Sequence, residues 1–337
     1  MEIPTIPTTI HLTPNETEYV EKHFPNLPQS ITEWSRRFFC TAEDIENMAN
    51  CDQGTPEWLR HREWRLTGSL YGTAAGENPY PGQKPIDLVR DWLWPTEMDA
   101  QGKANCKWGN DHEDDACDAY EEYMRYQKGL AGDSTPFWVD HFGLEVHPKE
   151  PWTGDSKDGV VNNVLPDGSI QKWLLEIKCP PLNRFTKKYK LYPNIPAQYY
   201  AQIQGIMGYN NLPFCDLVIW NPEAMIIERY QFDQKYFDWL LAEMRAWYML
   251  QFAPRAILKE AGLLQEGEID VETRMEHATH AIEYDSSTFA SIESFFQKNP
   301  VHSTEPKPKK AKAEKEGGKM RISDMEGFSF GNQQSNN

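Results

Sequence analysis

Two β-prone runs, Val160–Leu165 and Ser169–Lys178, flank the tripeptide Pro166-Asp167-Gly168. Asp-Gly between such runs is a strong hairpin signal, and a hairpin decides which residues of its two strands lie side by side. Folding the chain back at Asp167-Gly168 brings Asp158 level with Ile177, between Glu176 and Lys178. In a strand, residues i and i+2 project from one face, so Glu176 and Lys178 point together while Ile177 points into core. A strict two-residue loop leaves Asp158 on the face opposite Glu176, because one register step flips the side chain. A longer loop or a bulge is required to unite the acids, and Asn162-Asn163 is the expected place for a bulge.

An acid and a lysine side by side at the end of a buried strand, with a second acid near, suit metal-dependent cleavage of a phosphodiester. Carboxylates hold a divalent cation, and the ammonium positions or activates a water beside the phosphate. Taken alone, Glu-x-Lys is a common tripeptide and reads equally as an ion pair on a half-exposed strand. Asp158-Gly159 alone reads as a turn, and Asp155, three residues earlier, is the alternative ligand.

A third acid lies upstream. Ala116, Ala119, Tyr120, Tyr123 and Met124 recur at helical spacing, and Glu113 extends that stripe by lying three residues before Ala116 and seven before Tyr120. A carboxylate on an inward face needs a partner, and a metal ion is one. A first-turn acid favoured by the helix dipole is the other reading. Further back, Glu57–Arg65 reads as a helix bearing Arg60, Arg62 and Arg65, followed by the hydroxyl-bearing Thr67-Gly68-Ser69. Arg62 beside such a loop supplies donors for a phosphate; ordinary surface ion pairs are the alternative. Gln198 and Gln202 share one face of a helix beginning near Pro196.

Together these blocks resemble the YqaJ-type viral recombinases, the lambda-exonuclease-like branch of the PD-(D/E)xK nuclease superfamily. Four segments carry the resemblance, in order, between about residues 55 and 250. They are Thr55–Ser69 with Gly76–Tyr80, Trp108–Tyr120, Ser156–Gly159 with Leu175–Pro180, and Ala197–Gln204 with Met207. The resemblance implies a restriction-endonuclease-like α/β core of α+β type, a mixed central sheet flanked by helices. It implies a divalent ion, Mg²⁺ with Mn²⁺ as the alternative, held by Asp158, Glu176 and the Ile177 carbonyl, with Glu113 completing the shell. Lys178 then orients the attacking water with Gln202 nearby, while Arg62 and Ser69 hold a DNA phosphate. It further implies double-stranded DNA ends as substrate, a homo-oligomer such as a ring-shaped trimer, and a single-strand annealing protein as a partner. The implied activity is an exodeoxyribonuclease that resects linear duplexes 5′→3′ for recombination or repair. An endonuclease on the same core and a non-catalytic DNA-binding module are the rivals. One departure bears on the site: many relatives have Ser-Pro-Asp-Gly where this chain has Ser156-Lys157-Asp158-Gly159, preceded by Asp155.

The formal net charge of −17 argues against a protein that coats DNA, but not against one with local contacts. The basic run Arg184–Lys190, with Arg184, Lys187 and Lys188, is the candidate grip on a DNA backbone; a lysine-rich surface loop is the alternative. The six cysteines contain no C-x-x-C pair, which argues against a zinc ribbon or an iron–sulfur cluster. No secretory leader and no bilayer-spanning apolar run is read, so an intracellular, soluble, reduced protein without membrane contact is expected. It would be cytoplasmic in a phage or bacterial context, or nuclear if the lysine tail is an import signal.

The expected organisation is a helical leader (1–54) with helices at Pro14–Phe24 and Ile31–Met48, then a nuclease core (55–252). Within the core, Asp216–Trp220 and Met225–Tyr230 suggest a closing hairpin, and Phe232–Leu250 a long helix. A helical annex (253–300) and a lysine-containing tail (301–337) too poor in apolar residues to order itself complete the chain.

Overall fold

A computed structural model of the chain describes residues 9–77, 84–180, 196–222, 224–269 and 294–298. The helices are α1 (Pro14–His23), α2 (Ile31–Trp34), α3 (Ala42–Asn50), α4 (Pro56–Arg62), α5 (Tyr71–Ala75), α6 (Pro85–Leu93), α7 (Ala100–Leu130), α8 (Ala197–Asn210), α9 (Gln234–Ala246) and α10 (Ala253–Glu260). The strands are β1 (Leu66–Thr67), β2 (Phe137–Asp140), β3 (Glu145–His147), β4 (Glu150–Asp155), β5 (Gly159–Val164), β6 (Ile170–Lys178), β7 (Phe214–Asn221), β8 (Ala224–Gln231) and β9 (Ser294–Lys298). They form a six-stranded sheet of order β2-β5-β6-β7-β8-β9 and a three-stranded sheet of order β1-β4-β3. The fold is mixed α/β, with helices packed on both faces of a mixed sheet.

The β5–β6 hairpin forms where Asp167-Gly168 predicts it, in a different register. Gly159 pairs with Leu175 and Val164 with Ile170, and the Leu165 N–H donates to the Ser169 carbonyl at 2.8 Å. The loop is therefore Pro166-Asp167-Gly168, three residues long, with Gly168 at φ +85°. A side chain with a Cβ is disfavoured at that φ, which is why glycine ends the turn. The ladder runs unbroken through Asn162 and Asn163, so the bulge expected there is absent. The third loop residue makes the register shift instead, and continuing the ladder sets Asp158 opposite Glu176.

Beyond Lys178 the chain must return to lay β7 parallel to β6. A parallel neighbour requires a crossover, and α8 belongs to it. Period-two alternation then divides the sheet's faces. Leu174, Cys215, Leu217 and Ile219 pack with Ile203, Ile206 and Met207 of α8 and with Leu240 and Met244 of α9. Trp173, Leu175, Ile177 and Val218 pack with Ala116 and Tyr120 of α7. Glu176 and Lys178 thus face α8, and Ile177 lies in the opposite core. Each large apolar side chain fully buried in these layers contributes about 1.5–3 kcal/mol.

The leader belongs to the α8-side core: Ile31, Trp34 and Phe38 are buried in it, and Arg37 makes a two-pronged pair with Glu260 at 2.7 and 2.8 Å. The helix expected over Ile31–Met48 is broken. After α2 and a 3₁₀ turn at Ser35–Phe38, the chain extends at Phe39 and restarts at Thr41. Thr41 and Asp44 cap α3 reciprocally, a local option that competes with helix continuation. The β7–β8 hairpin runs antiparallel as expected. The helix expected over Phe232–Leu250 starts at Gln234, behind the Asp233 cap, and passes through a π-helical turn, Trp247–Phe252, into α10. Ala253, Pro254, Arg255, Ala256 and Ile257 of α10 are buried in the core, and β9 adds a strand outside β8, so the described part of 253–300 is not helical throughout. All six cysteines are free. Among the described residues, no helix is long and apolar enough to cross a membrane.

Candidate active site

The site is built at the end of β6, an interior strand with α7 packed on one face of the sheet and α8 on the other. Glu176 is 1% exposed. Its Oε1 accepts from Gln202 Nε2 at 2.5 Å and from Lys178 Nζ. Its Oε2 is buried and has no hydrogen-bond partner among the described residues. Asp158, across the hairpin, accepts the Ile177 N–H on Oδ2 at 2.6 Å, while its carbonyl accepts from His141 Nδ1 at 2.7 Å. The Asp158 carboxyl is therefore pinned to the backbone between Glu176 and Lys178.

Two acids enclosed this closely resist ionising together. Burial, then the Asp158 charge, pushes Glu176 up to about 7. Burial, then the Glu113 charge from α7, pushes Asp158 up as well. Lys178 is the counterweight. Burial alone would pull its ammonium down, but the Glu176 and Asp158 charges outweigh that and hold it well above its ordinary value. It is a fixed cation, with the Tyr199 ring 5.2 Å from its Nζ.

Glu113 sits on the half-buried side of α7, in line with buried Ala116 and Tyr120. Among the described residues, no three His, Cys, Asp or Glu side chains converge closely enough to hold a metal ion by themselves. The donors present nonetheless fit a hard cation. Two carboxylates whose charges repel flank one orphaned, buried oxygen, Glu176 Oε2, and that is the local deficit a divalent ion corrects.

Asp155, the alternative ligand, is committed elsewhere. It is fully buried and accepts from Lys157 Nζ at 2.8 Å and Asn210 Nδ2 at 2.9 Å. His147 Nε2 lies 3.2 Å from its Oδ2. Lys157 also donates to Asn210 Oδ1 at 2.9 Å and pairs with Glu145. Every oxygen of Asp155 is used by protein donors.

A second polar corner lies beside α8. The Arg62 guanidinium stacks over Trp58, 4.1 Å from the ring centroid. Its Nη2 donates to Thr67 Oγ1 at 2.8 Å and its Nη1 reaches Ser156 Oγ at 3.4 Å. Among the described residues no carboxylate pairs with Arg62, and burial pulls it down to about 10. Ser69 is exposed on the 3₁₀ turn Gly68–Leu70. A Cβ on Gly68 would stand 3.2 Å from Ile206 and 3.6 Å from the Gln202 side chain, so this corner rests against the helix that carries Gln202. Arg184, Lys187 and Lys188 lie outside the described residues.

Sequence reasoning missed Trp58 beneath Arg62, Tyr199 beside Lys178 and the Asp155–Lys157–Asn210 cluster. Tyr199 had a signal, since it precedes Gln202 by three residues and shares its helix face. The Asp155 cluster had none, because Asn210 is supplied from the far end of α8.

The YqaJ-like viral recombinase domain family matches residues 57–211. No curated protein matches the sequence. Among solved structures, an alkaline exonuclease (LHK-Exo) from Laribacter hongkongensis is 20% identical, with 63% of this chain and 100% of that one covered and a TM-score of 0.44. The same protein in complex with dAMP gives the same figures. A phage related exonuclease from Haemophilus somnus 129PT is 12% identical, with 58% of this chain and 96% of that one covered and a TM-score of 0.36. The family match opens one residue before Trp58 and ends one residue past α8, so Arg62, Ser69, Glu113, Asp158, Glu176, Lys178 and Gln202 all fall inside it. Residues 57–211 of this chain are thus similar to the YqaJ-like viral recombinase domain.

Proposed function

We propose that the chain is a metal-dependent deoxyribonuclease, a 5′→3′ exonuclease that degrades one strand of linear duplex DNA to mononucleotides and leaves a 3′ overhang for recombination. The observation that carries this reading is the buried, unpartnered Glu176 Oε2 beside Asp158 and a lysine held protonated. Asp158, Glu176 and the Ile177 carbonyl would hold the cation, with Glu113 joining directly or through water. Mg²⁺ suits these hard oxygen donors, with Mn²⁺ as the alternative. When bound, such an ion supplies a more acidic water and neutralises charge at the scissile phosphate.

The chain's own residues do the rest. Lys178 keeps a positive charge beside the phosphate and orients the attacking water. Gln202 holds Glu176 Oε1, which leaves Oε2 free for the cation. Arg62, desolvated on Trp58 and with no carboxylate partner among the described residues, would receive a 5′-terminal phosphate with Ser69, and so set the register for removing one nucleotide at a time. Arg184, Lys187 and Lys188 would grip the backbone further along. A ring-shaped homo-oligomer on DNA ends, a single-strand annealing partner and an intracellular setting belong to the same reading.

Duplexes labelled at either the 5′ or the 3′ end, and a covalently closed circle, are incubated with Mg²⁺ or with EDTA. Mononucleotides are expected from the 5′ end, with Mg²⁺ and on linear DNA alone. Cleavage of the circle, release from the 3′ end first, or activity in EDTA would overturn the assignment.

A further inference from the structure

Residues Arg62-Glu63-Trp64-Arg65 form a tight turn closed by the Arg65 N–H donating to the Arg62 carbonyl at 3.0 Å. Glu63 has φ −55° and ψ 127°, and Trp64 has φ +61°. These are the dihedrals of a type II turn, whose third position calls for a positive φ and hence for glycine or asparagine. A tryptophan there is strained, and persists only if its surroundings hold it. They do. Tyr248 Oη donates to the Trp64 carbonyl at 2.5 Å, and the Trp64 indole packs on Phe252, with ring centroids 5.5 Å apart. Arg65, itself buried, donates to the carbonyls of His61 (2.6 Å) and Pro151 (3.1 Å).

Both anchoring rings come from the π-helical turn Trp247–Phe252. Tyr248 is fully buried among Trp152, Phe252, Phe38 and Trp34. The extra residue per turn in a π-bulge re-aims side chains that a regular helix would direct elsewhere. Here the bulge brings Tyr248 and Phe252 onto one strained turn. That turn begins at Arg62 and leads through β1 directly to Thr67 and Ser69.

We propose that Tyr248, acting through the strained Trp64 turn, is a positioning residue that fixes Arg62 for the terminal phosphate of the DNA. The inference rests on the reading of Arg62 as a phosphate contact and goes beyond it by assigning the contact's geometry to the π-helical turn. Glycine at 64 would satisfy the turn's dihedrals but release it from Phe252, so strain and anchoring together make the corner rigid rather than merely turned.

The test compares kcat/KM on 5′-phosphoryl and 5′-hydroxyl duplex ends for the full chain, Tyr248→Phe, Trp64→Gly and Arg62→Ala. Tyr248→Phe removes one hydroxyl donor and keeps the ring. The expected result is a fall of about tenfold in the preference for phosphorylated ends, from a displaced Arg62, with Trp64→Gly falling similarly. A merely structural Tyr248 would lower the melting temperature and leave the preference intact, and that result overturns the proposal. Loss of preference in Arg62→Ala but not in Tyr248→Phe also overturns it, whereas a preference that survives Arg62→Ala means that the phosphate reading itself fails. If Tyr248→Phe or Trp64→Gly does not fold, Trp64→Phe, which keeps a ring against Phe252, is read by the same ratio.

Discussion

Two acidic clusters stand three residues apart in this chain and are built on opposite principles. Around Asp155, every carboxylate oxygen meets a fixed donor from Lys157, Asn210 or His147. Around Asp158 and Glu176, the charges repel, both acids are pushed up, and one buried oxygen has no partner among the described residues. Buried charge is tolerated when it is paired and hydrogen-bonded, and is costly otherwise. The first cluster is therefore complete as architecture. The second carries a deficit that a bound cation would correct, as the proposed function requires, and Lys178 offsets only part of it. Proximity in sequence says nothing about which acid does which job; the count of fixed donors does.

The comparison breaks most decisively at Glu176. Glu176→Gln removes the charge of a proposed cation ligand and little volume, so turnover is expected to fall by about 10³-fold or more, roughly 4 kcal/mol of barrier. Asp158→Asn should behave alike. In EDTA neither variant should melt below the wild type, since each loses a repulsive buried charge. Retention of a tenth of the wild-type rate by either one would remove that acid from the site.

Asp155→Asn should do the reverse. It leaves buried Lys157 with one acidic partner fewer, and a cost near 3 kcal/mol of folding stability is expected. Divalent-cation affinity, followed by calorimetry on the folded protein, should stay within about twofold, because the proposed cation ligands are untouched. If cation binding vanishes in Asp155→Asn and survives in Asp158→Asn, the two clusters have been assigned the wrong way round.

How far the sequence reached follows from the same region. The Glu-x-Lys pair at the end of β6, the inward-facing Ile177 and the reversal at Asp167-Gly168 were legible, because strand alternation and turn chemistry are local. The register was not. It depended on one extra loop residue, and the Asn162-Asn163 bulge invoked to unite the acids proved unnecessary once Gly168 took a positive φ. The saturation of Asp155 was equally hidden, since Lys157 is its near neighbour but Asn210 and His147 arrive from other elements. In the leader, the break between α2 and α3 had a local sign in Thr41 and Asp44, which the apolar spacing of Ile31–Met48 masked. The strained Trp64 carries no sequence signal at all, because tryptophan is the last residue that turn chemistry would place there.

Gln202 sharpens the boundary of the incomplete cluster. Its amide donates to the Glu176 oxygen that Lys178 also uses. Gln202→Ala should therefore let the carboxylate rotate rather than remove its charge, and about a tenfold loss in kcat, near 1.4 kcal/mol, is expected with little change in KM. An effect confined to KM would make Gln202 a DNA contact instead of a support for Glu176.

The smallest effect is a pH dependence of stability set by the acids at the end of β6. In the folded, cation-free protein Glu176 is raised to about 7, and Asp158 is raised with it. Unfolded, each returns to the ordinary carboxylate range, near 4. Between those values the folded state binds more protons than the unfolded state, so stability falls as pH rises through the window and levels off above it. The contribution is full below about pH 4 and gone beyond the folded value near 7. Other acids slope the curve too, so the useful quantity is the difference from Glu176→Gln. From pH 5 to pH 8 in EDTA, the wild type should lose ~2–4 °C more in melting temperature than that variant, about 1 kcal/mol for a chain of this size. Saturating Mg²⁺ should abolish the difference, because a bound cation stabilises the ionised acids that proton loss creates. Parallel curves for the two proteins in EDTA would mean that the acids at the end of β6 are not frustrated, and the contrast between the two clusters would collapse.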